Sequence, residues 1–410
     1  MNNPIVLFKP LGLKSFCSLL ILLSFLYPGI IVGSLQLQHL ALVAIFIFAI
    51  LKLPSDSFCI RMRSVEMLLC ASLVIIFSLL SLFFHSPEKY FLDELGKLVI
   101  FFVGVAGLLS FYSSEEVLDF LSKGAILSTA YIVFYLLTHS HQEIYSYGGR
   151  LQVPGFGSPN ALATMSAIYS ICLLKRLRIY LGMSGRGGVT LACLLSLFFY
   201  LYLIVATSSR GGAFSFVLGF LIYVSVWAHE RKKLSLLFFW GGFFLAALLM
   251  CLLMFGQFDG ALDRYIPSDG YGSGRLMIWE RILNNLMENV IDFLIGFGPG
   301  SIDIEVSGSK IISAHSFFLS VFYYFGFLGG VSVLGVIGLS IFKMAGRSRG
   351  GGDIRLGILF AVLFSFSVDY VLLSSQSLLT TAMAFSLVLG ESKGKRFSDA
   401  FLKREVPNES

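Results

Sequence analysis

Apolar runs, each about as long as a bilayer is thick, recur along almost the whole chain. A helix that crosses the hydrocarbon core needs about 20 mostly apolar residues. Runs of that kind occupy 14–33, 35–53, 65–84, 95–112, 117–138, 159–178, 188–207, 211–229, 234–255, 316–342, 354–372 and 374–390. Lipid offers no partners to backbone N–H and C=O groups, so each run must satisfy them internally, as a helix does. The chain is therefore expected to be an all-α polytopic membrane protein with about 12 transmembrane helices. Composition excludes a single soluble core: 56% of the 410 residues are hydrophobic and 13% charged, against about 25% charged in soluble domains. The first run is broken by Pro28-Gly29 and lacks a small-residue cleavage site after it, so it reads as a retained span and not a signal peptide.

The net charge of +6 is sorted by side and is not a nucleic-acid signal. Lys52, Arg61 and Arg63 follow the second run, and Lys175, Arg176, Arg178 and Arg186 the sixth. Arg231, Lys232 and Lys233 follow the eighth, Lys343, Arg347, Arg349 and Arg355 the tenth, and Lys393, Lys395 and Arg396 the twelfth. All are even-numbered exits, and the positive-inside rule then places both termini in the cytoplasm. The fourth exit breaks the pattern: Ser113 to Glu116 reads SSEE, with no cation. Cys17, Cys59, Cys70, Cys172, Cys193 and Cys251 form no CxxC pair and lie in or beside apolar runs, so neither a disulfide framework nor a zinc site is indicated. His139 and His141 lack an acidic or Cys companion and read as a solvated pair, so no metal is expected.

One membrane domain, 1–410, follows, divided by topology. Residues 1–138 are scaffold spans and 139–158 an outer loop; 159–255 are spans that include a polar turn at Arg210. Residues 256–315 form one large outer loop, 316–390 the C-terminal spans and 391–410 a polar cytoplasmic tail. Lys97, in the fourth run beside Asp93 and Glu94, reads as a snorkelling lysine paired locally.

Polar chemistry gathers on the outer side. Arg150 lies in the 139–158 loop, against the charge bias, and Ser158-Pro159 supplies a cap and a first-turn proline for the sixth span. TSSRGG, Thr207 to Gly212, both ends the seventh span and starts the eighth. There Ser209 can cap, Gly211 lets the backbone come close to a ligand, and Arg210 sits beside free N–H groups, which together suit an anion. In the large loop, Leu276, Trp279, Ile282, Leu283, Leu286, Met287, Val290 and Leu294 repeat at three or four. That period predicts an amphipathic helix of roughly 20 residues lying on the membrane or the bundle. Arg275 occupies its first turn, where the helix dipole disfavours a cation unless an anion joins it. GFGPGS, Gly296 to Ser301, stops the helix and has the composition of a phosphate-cradling loop. His315 stands at the mouth of the tenth run on the same side, with Asp369 near the outer end of the eleventh. Histidine is the side chain best suited to proton transfer near neutral pH.

Taken in order, TSSRGG at the start of a span, SGRLMIW (Ser273 to Trp279) with its amphipathic stretch, GFGPGS, and AHSFFLSVFYYFGFLGG from Ala314 resemble the bacterial O-antigen ligase and polymerase family. Arg150 followed by Pro159-Asn160 is similar to a weaker upstream element of that family. The resemblance covers roughly 145–335. It implies a metal-independent glycosyltransferase of the bacterial inner membrane, without a cofactor, whose active site faces the periplasm. Its donor would be a glycan on undecaprenyl diphosphate and its acceptor lipid A-core or a second lipid-linked glycan, with membrane lipid around it and no nucleic acid. By motif, Arg210 and Arg275 would bind the diphosphate and stabilise its developing charge, and His315 would be the base for the acceptor hydroxyl. Arg150, Arg264, Ser209 and Gly211 would complete the binding site. A ligase is favoured over a repeat-unit polymerase because one outer loop dominates. A polytopic transporter or flippase would instead carry its polar residues near the midplane on broken helices.

Overall fold

The computed structural model describes residues 10–26, 31–32, 35–51, 62–140, 145–146, 150–181, 183, 185–230, 275–306, 309–311, 314–347, 353–368 and 377–390. Thirteen helices are found among them: α1 (Pro10–Leu26), α2 (Leu37–Leu51), α3 (Met62–Ser81), α4 (Phe91–Phe111), α5 (Ser114–Thr138), α6 (Pro159–Tyr180), α7 (Gly187–Ala206), α8 (Arg210–Glu230), α9 (Arg275–Met287), α10 (Val290–Ile295), α11 (Phe317–Arg347), α12 (Asp353–Val368) and α13 (Leu378–Leu389). Three two-stranded antiparallel hairpins decorate the loops: β1 (Ile31–Val32) with β2 (Leu35–Gln36), β3 (Tyr145–Ser146) with β4 (Arg150–Leu151), and β5 (Ile304–Val306) with β6 (Ser309–Ile311). Six helices are long and apolar enough to cross a membrane, and four shorter apolar helices, Lys14–Leu26, Leu37–Leu51, Ile354–Ser367 and Leu378–Leu389, accompany them. Each expected run coincides with a helix except 234–255, which lies outside the described residues, as do the outer loop from 256 to 274 and the tail 391–410.

Between helices in lipid the hydrophobic effect gives no net pull, so packing and polar contacts between helices must hold the bundle. The centre is built from α6 and α13. All residues of α13 are buried, and so is α6 from Ala161 to Leu173. The hydroxyls of Tyr169 and Thr380 meet at 2.8 Å between the two helices. Around this pair, α4 and α5 flank α13, while α7, α8 and α12 flank α6. α2 and α3 pack on α4, and α3 carries α11.

One end of the bundle collects the even-numbered exits, including the fourth. Ser113 caps α5 in a reciprocal capping box with Glu116. The same Glu116 takes a salt bridge from Lys14 near the start of α1. Asp119, one turn on, pairs with Arg176 of α6 at 3.0 Å and with Lys123 at 2.7 Å. Arg355 donates to the Gly390 carbonyl at 2.8 Å, and Ser340 donates to Glu66 at 2.6 Å. The acidic fourth exit is therefore on the basic end, where cations from other exits neutralise it. Lys97 pairs with Glu94 at 2.7 Å and Asp93 at 2.6 Å, the local pairing expected of it. His139, at the end of α5, is exposed, as expected, and stacks on Tyr135 with 3.9 Å between ring centroids; His141 lies outside the described residues. Cys17, Cys70, Cys172 and Cys193 are buried and unbridged.

The expected 20-residue amphipathic helix is two helices. α9 ends at Met287, and Asn289 accepts from the Ile291 amide to cap the short α10. The buried stripe of α9 is Ile278, Ile282 and Leu286, a pure i, i+4 line. Leu276, Met277, Leu283, Met287 and Val290 stay exposed. α9 thus has a bundle-facing stripe and a separate set of exposed apolar residues, the arrangement of a helix lying at an interface.

GFGPGS has a structural job. α11 is broken at Gly326, whose φ is 64° and ψ −170°. The break releases carbonyls one turn before it, and the loop fills their place. The Phe297 and Gly298 amides each donate at 2.9 Å, to the Tyr323 and Tyr324 carbonyls. Phe297 stacks on Tyr323 with 4.7 Å between centroids. These amides serve α11 and are not a phosphate cradle. A Cβ on Gly326 would lie 2.4 Å from backbone atoms of Leu294 and Ile295. Gly326→Ala is expected to cost on the order of 3 kcal/mol, from the left-handed backbone and the clash. Gly335→Ala, whose Cβ would meet open space, should be near neutral. Thermal unfolding of the two purified variants checks this; equal midpoints would mean that the splint carries no stability.

Candidate functional site

Two strained residues mark the end of the bundle opposite the basic exits. Among the described residues, Ser208 and His315 are the non-glycine positions with positive φ, 48° and 49°. L-residues avoid this region, and where they hold it the surroundings must enforce it, commonly at functional sites. Both fall in segments singled out by sequence: Ser208 in TSSRGG, His315 in AHSFF.

The first segment is held by Arg150 and α6. Ser209 is buried, and its hydroxyl accepts from the Gly212 amide at 3.3 Å, the cap expected for α8. Arg150 Nε donates to the Thr207 carbonyl at 3.0 Å, and Nη2 donates to Asn160 Oδ1 at 2.6 Å. Hydrogen bonds to a charged group contribute about 1.5–3 kcal/mol each, so Arg150 fastens the end of α7 to the start of α6. α6 itself begins as expected, with Ser158 accepting from the Ala161 amide and Pro159 in the first turn. A Cβ on Gly212 would come within 2.3 Å of Ala163 Cβ, so this glycine lets α8 press against α6. Arg210 is the first residue of α8 and is partly buried, as is Gly211.

The second segment is held by α9. The Trp279 Nε1–H donates to the Ala314 carbonyl at 2.9 Å, on the residue before His315. Ser316 follows, buried, with its hydroxyl 3.5 Å from the Leu319 amide and its carbonyl accepting from Ser320, so it opens α11. His315 is partly buried at the mouth of that helix. Arg275 is the first residue of α9, one turn ahead of Trp279, and is also partly buried.

The outer end of α12 joins the two. Ser215 donates to the Gly211 carbonyl at 2.8 Å, and its hydroxyl meets that of Ser365 at 2.6 Å. The next residue, Phe366, packs against Phe317 with tilted rings and 4.5 Å between centroids. Packed contacts therefore run from the Arg210 turn to the His315 segment. α8 has no acidic residue in its first turn, nor has α9. Among the described residues no carboxylate pairs with Arg210 or Arg275. Two helix N-termini, each with a guanidinium, thus face this end, a geometry suited to an anion with more than one charge. Arg264 and Asp369 lie outside the described residues. Among the described residues no three His, Cys, Asp or Glu side chains gather as metal ligands. Sequence reasoning passed over Trp279 as part of an apolar stripe, and noted Asn160 as part of an upstream element without giving it a role.

Fold and site define a polytopic membrane protein with a strained, cationic patch at one end of its bundle. Comparison with protein families adds that residues 195–334 match the family model described as O-antigen ligase. That match supports the resemblance to the O-antigen ligase and polymerase family, and with it a glycosyltransferase-like role in polysaccharide assembly. The matched segment runs from α7 into α11 and contains Ser209, Arg210, Gly211, Arg264, Arg275 and His315, but not Arg150. No curated protein matches the chain.

Proposed function

We propose that the protein transfers a glycan from undecaprenyl diphosphate to an acceptor hydroxyl on the periplasmic face of the bacterial inner membrane, without a metal ion. The observation that carries this reading is the pairing of the strained turns. Ser208 precedes the capped start of α8 by one residue, and His315 precedes Ser316 at the start of α11. Each brings a functional side chain to the same end. In the reaction, Arg210 and Arg275 hold the diphosphate and stabilise the charge that builds on it as the glycosidic oxygen departs. His315 takes the proton of the attacking hydroxyl. Ser209 and Gly211 shape the turn, and Arg150 holds it in place. Lipid A-core is the favoured acceptor; a second lipid-linked glycan is the alternative. The test is a lipopolysaccharide gel of a strain lacking the gene, with its polyprenyl-linked glycans analysed in parallel. Core without O-chain, plus long glycan on the carrier, is the expected ligase outcome. Core bearing a single repeat would make the enzyme a polymerase. Unchanged lipopolysaccharide with no carrier-linked glycan accumulating would overturn the assignment.

A further inference from the structure

Helices α6, α7 and α8 enclose a cavity of about 490 Å³ that the proposed chemistry does not use. α7 and α8 succeed one another through the 207–209 turn, yet α7 packs chiefly on α6 and α8 chiefly on α12 and then α6, and the two part toward the basic end. The wall between them is apolar, formed by Leu174, Leu177, Leu194, Leu197, Leu201 and Phe220. Polar groups gather only toward the basic end. There Arg178 lies over the Trp227 ring, 4.8 Å from its centroid, and Arg186 lies 5.9 Å from the Tyr180 ring. The Trp227 Nε1–H is buried and has no acceptor among the described residues. A buried indole N–H ordinarily has a partner, and one without it, beside a guanidinium at the mouth of an apolar groove, points to a ligand with oxygen acceptors and a hydrocarbon tail.

We propose that this groove is a binding site for one anionic glycerophospholipid of the leaflet at the basic end. An acyl chain lies along α7 and α8, and headgroup phosphate and ester oxygens accept from Arg178 and the Trp227 N–H. The charge fits: Lys175, Arg176, Arg178 and Arg186 all belong to this end, and juxtamembrane cations favour anionic headgroups. The size fits as well. At about 490 Å³ the space admits an acyl chain. A polyprenyl diphosphate would in any case carry its charge at the opposite end of the bundle, near Arg210.

The full-length protein in nanodiscs of equal phosphatidylglycerol and phosphatidylethanolamine, released into a native mass spectrometer, tests this. Wild type should retain one phospholipid, with phosphatidylglycerol preferred. Arg178→Gln should lower that preference about fivefold, as one interfacial cation is worth, and Trp227→Phe should weaken retention of both lipids. Leu194→Trp, which fills the groove from its partly exposed rim, should abolish retention. Lys123→Gln, at the same end but outside the groove, should change nothing. Equal retention of the two lipids by wild type would overturn the proposal. So would loss of preference in the Lys123 variant, lipid that survives Leu194→Trp, or retention of polyprenyl phosphate alone when that lipid is added.

Discussion

Arg210→Ala and Arg275→Ala each lower glycan transfer by at least about 10²–10³-fold, the loss typical of removing one donor to developing negative charge, while the protein stays in the membrane at wild-type level. The stability half of this expectation comes from the structure. Neither arginine has a carboxylate partner among the described residues, and each begins a helix whose dipole disfavours a cation. The fold therefore gains little from either charge, and alanine is a better helix former than arginine at both positions. Arg150 behaves in the opposite way. Its two charged hydrogen bonds fasten Thr207 and Asn160, so its removal should loosen the turn and lower stability along with activity. Arg281→Ala, on the exposed face of α9, is the control and should keep full transfer. The measurement is transfer from a purified polyprenyl-diphosphate glycan, with membrane level read by immunoblot. Wild-type transfer by either variant would remove the diphosphate clamp from the mechanism.

What the sequence showed of this arrangement, and what it hid, follows from the range of each signal. Apolar length is a local property, so the runs that became α3, α4, α5, α7, α8 and α11 were legible to within a few residues. The caps at Ser158 and Ser209 were legible too, because a cap is written within three residues. The break between α9 and α10 was not, since Val290 and Leu294 keep the phase of the preceding stripe and only Asn289 signals a restart. Nor was the role of GFGPGS, because it depends on a backbone break at Gly326 that lies about 30 residues away in the chain. The acidic fourth exit contradicted the charge rule only when counted alone; its partners Lys14 and Arg176 come from the first and sixth spans. Sequence singled out the Arg210 and His315 segments as polar exceptions in an apolar chain, and α12, which brings them to one end through Ser365 and Phe366, carried no signal of that role.

His315→Ala slows the chemical step by about 10²–10⁴-fold if the imidazole is the general base, with little change in donor affinity. A charge or positioning role predicts the reverse, a rise in KM with kcat kept. The backbone explains why this histidine is set apart. A φ of 49° costs an L-residue roughly 1–3 kcal/mol, and the flanking contacts hold it there: Trp279 grips the Ala314 carbonyl before it, and Ser316 starts α11 after it. Trp279→Phe keeps the ring and removes only that hydrogen bond. It should therefore lower kcat by a smaller factor than His315→Ala and add almost nothing in the double variant, because both changes act on one group. Wild-type kcat in His315→Ala would assign proton abstraction to another group. Full additivity of the two changes would mean that Trp279 supports the outer loop without orienting His315.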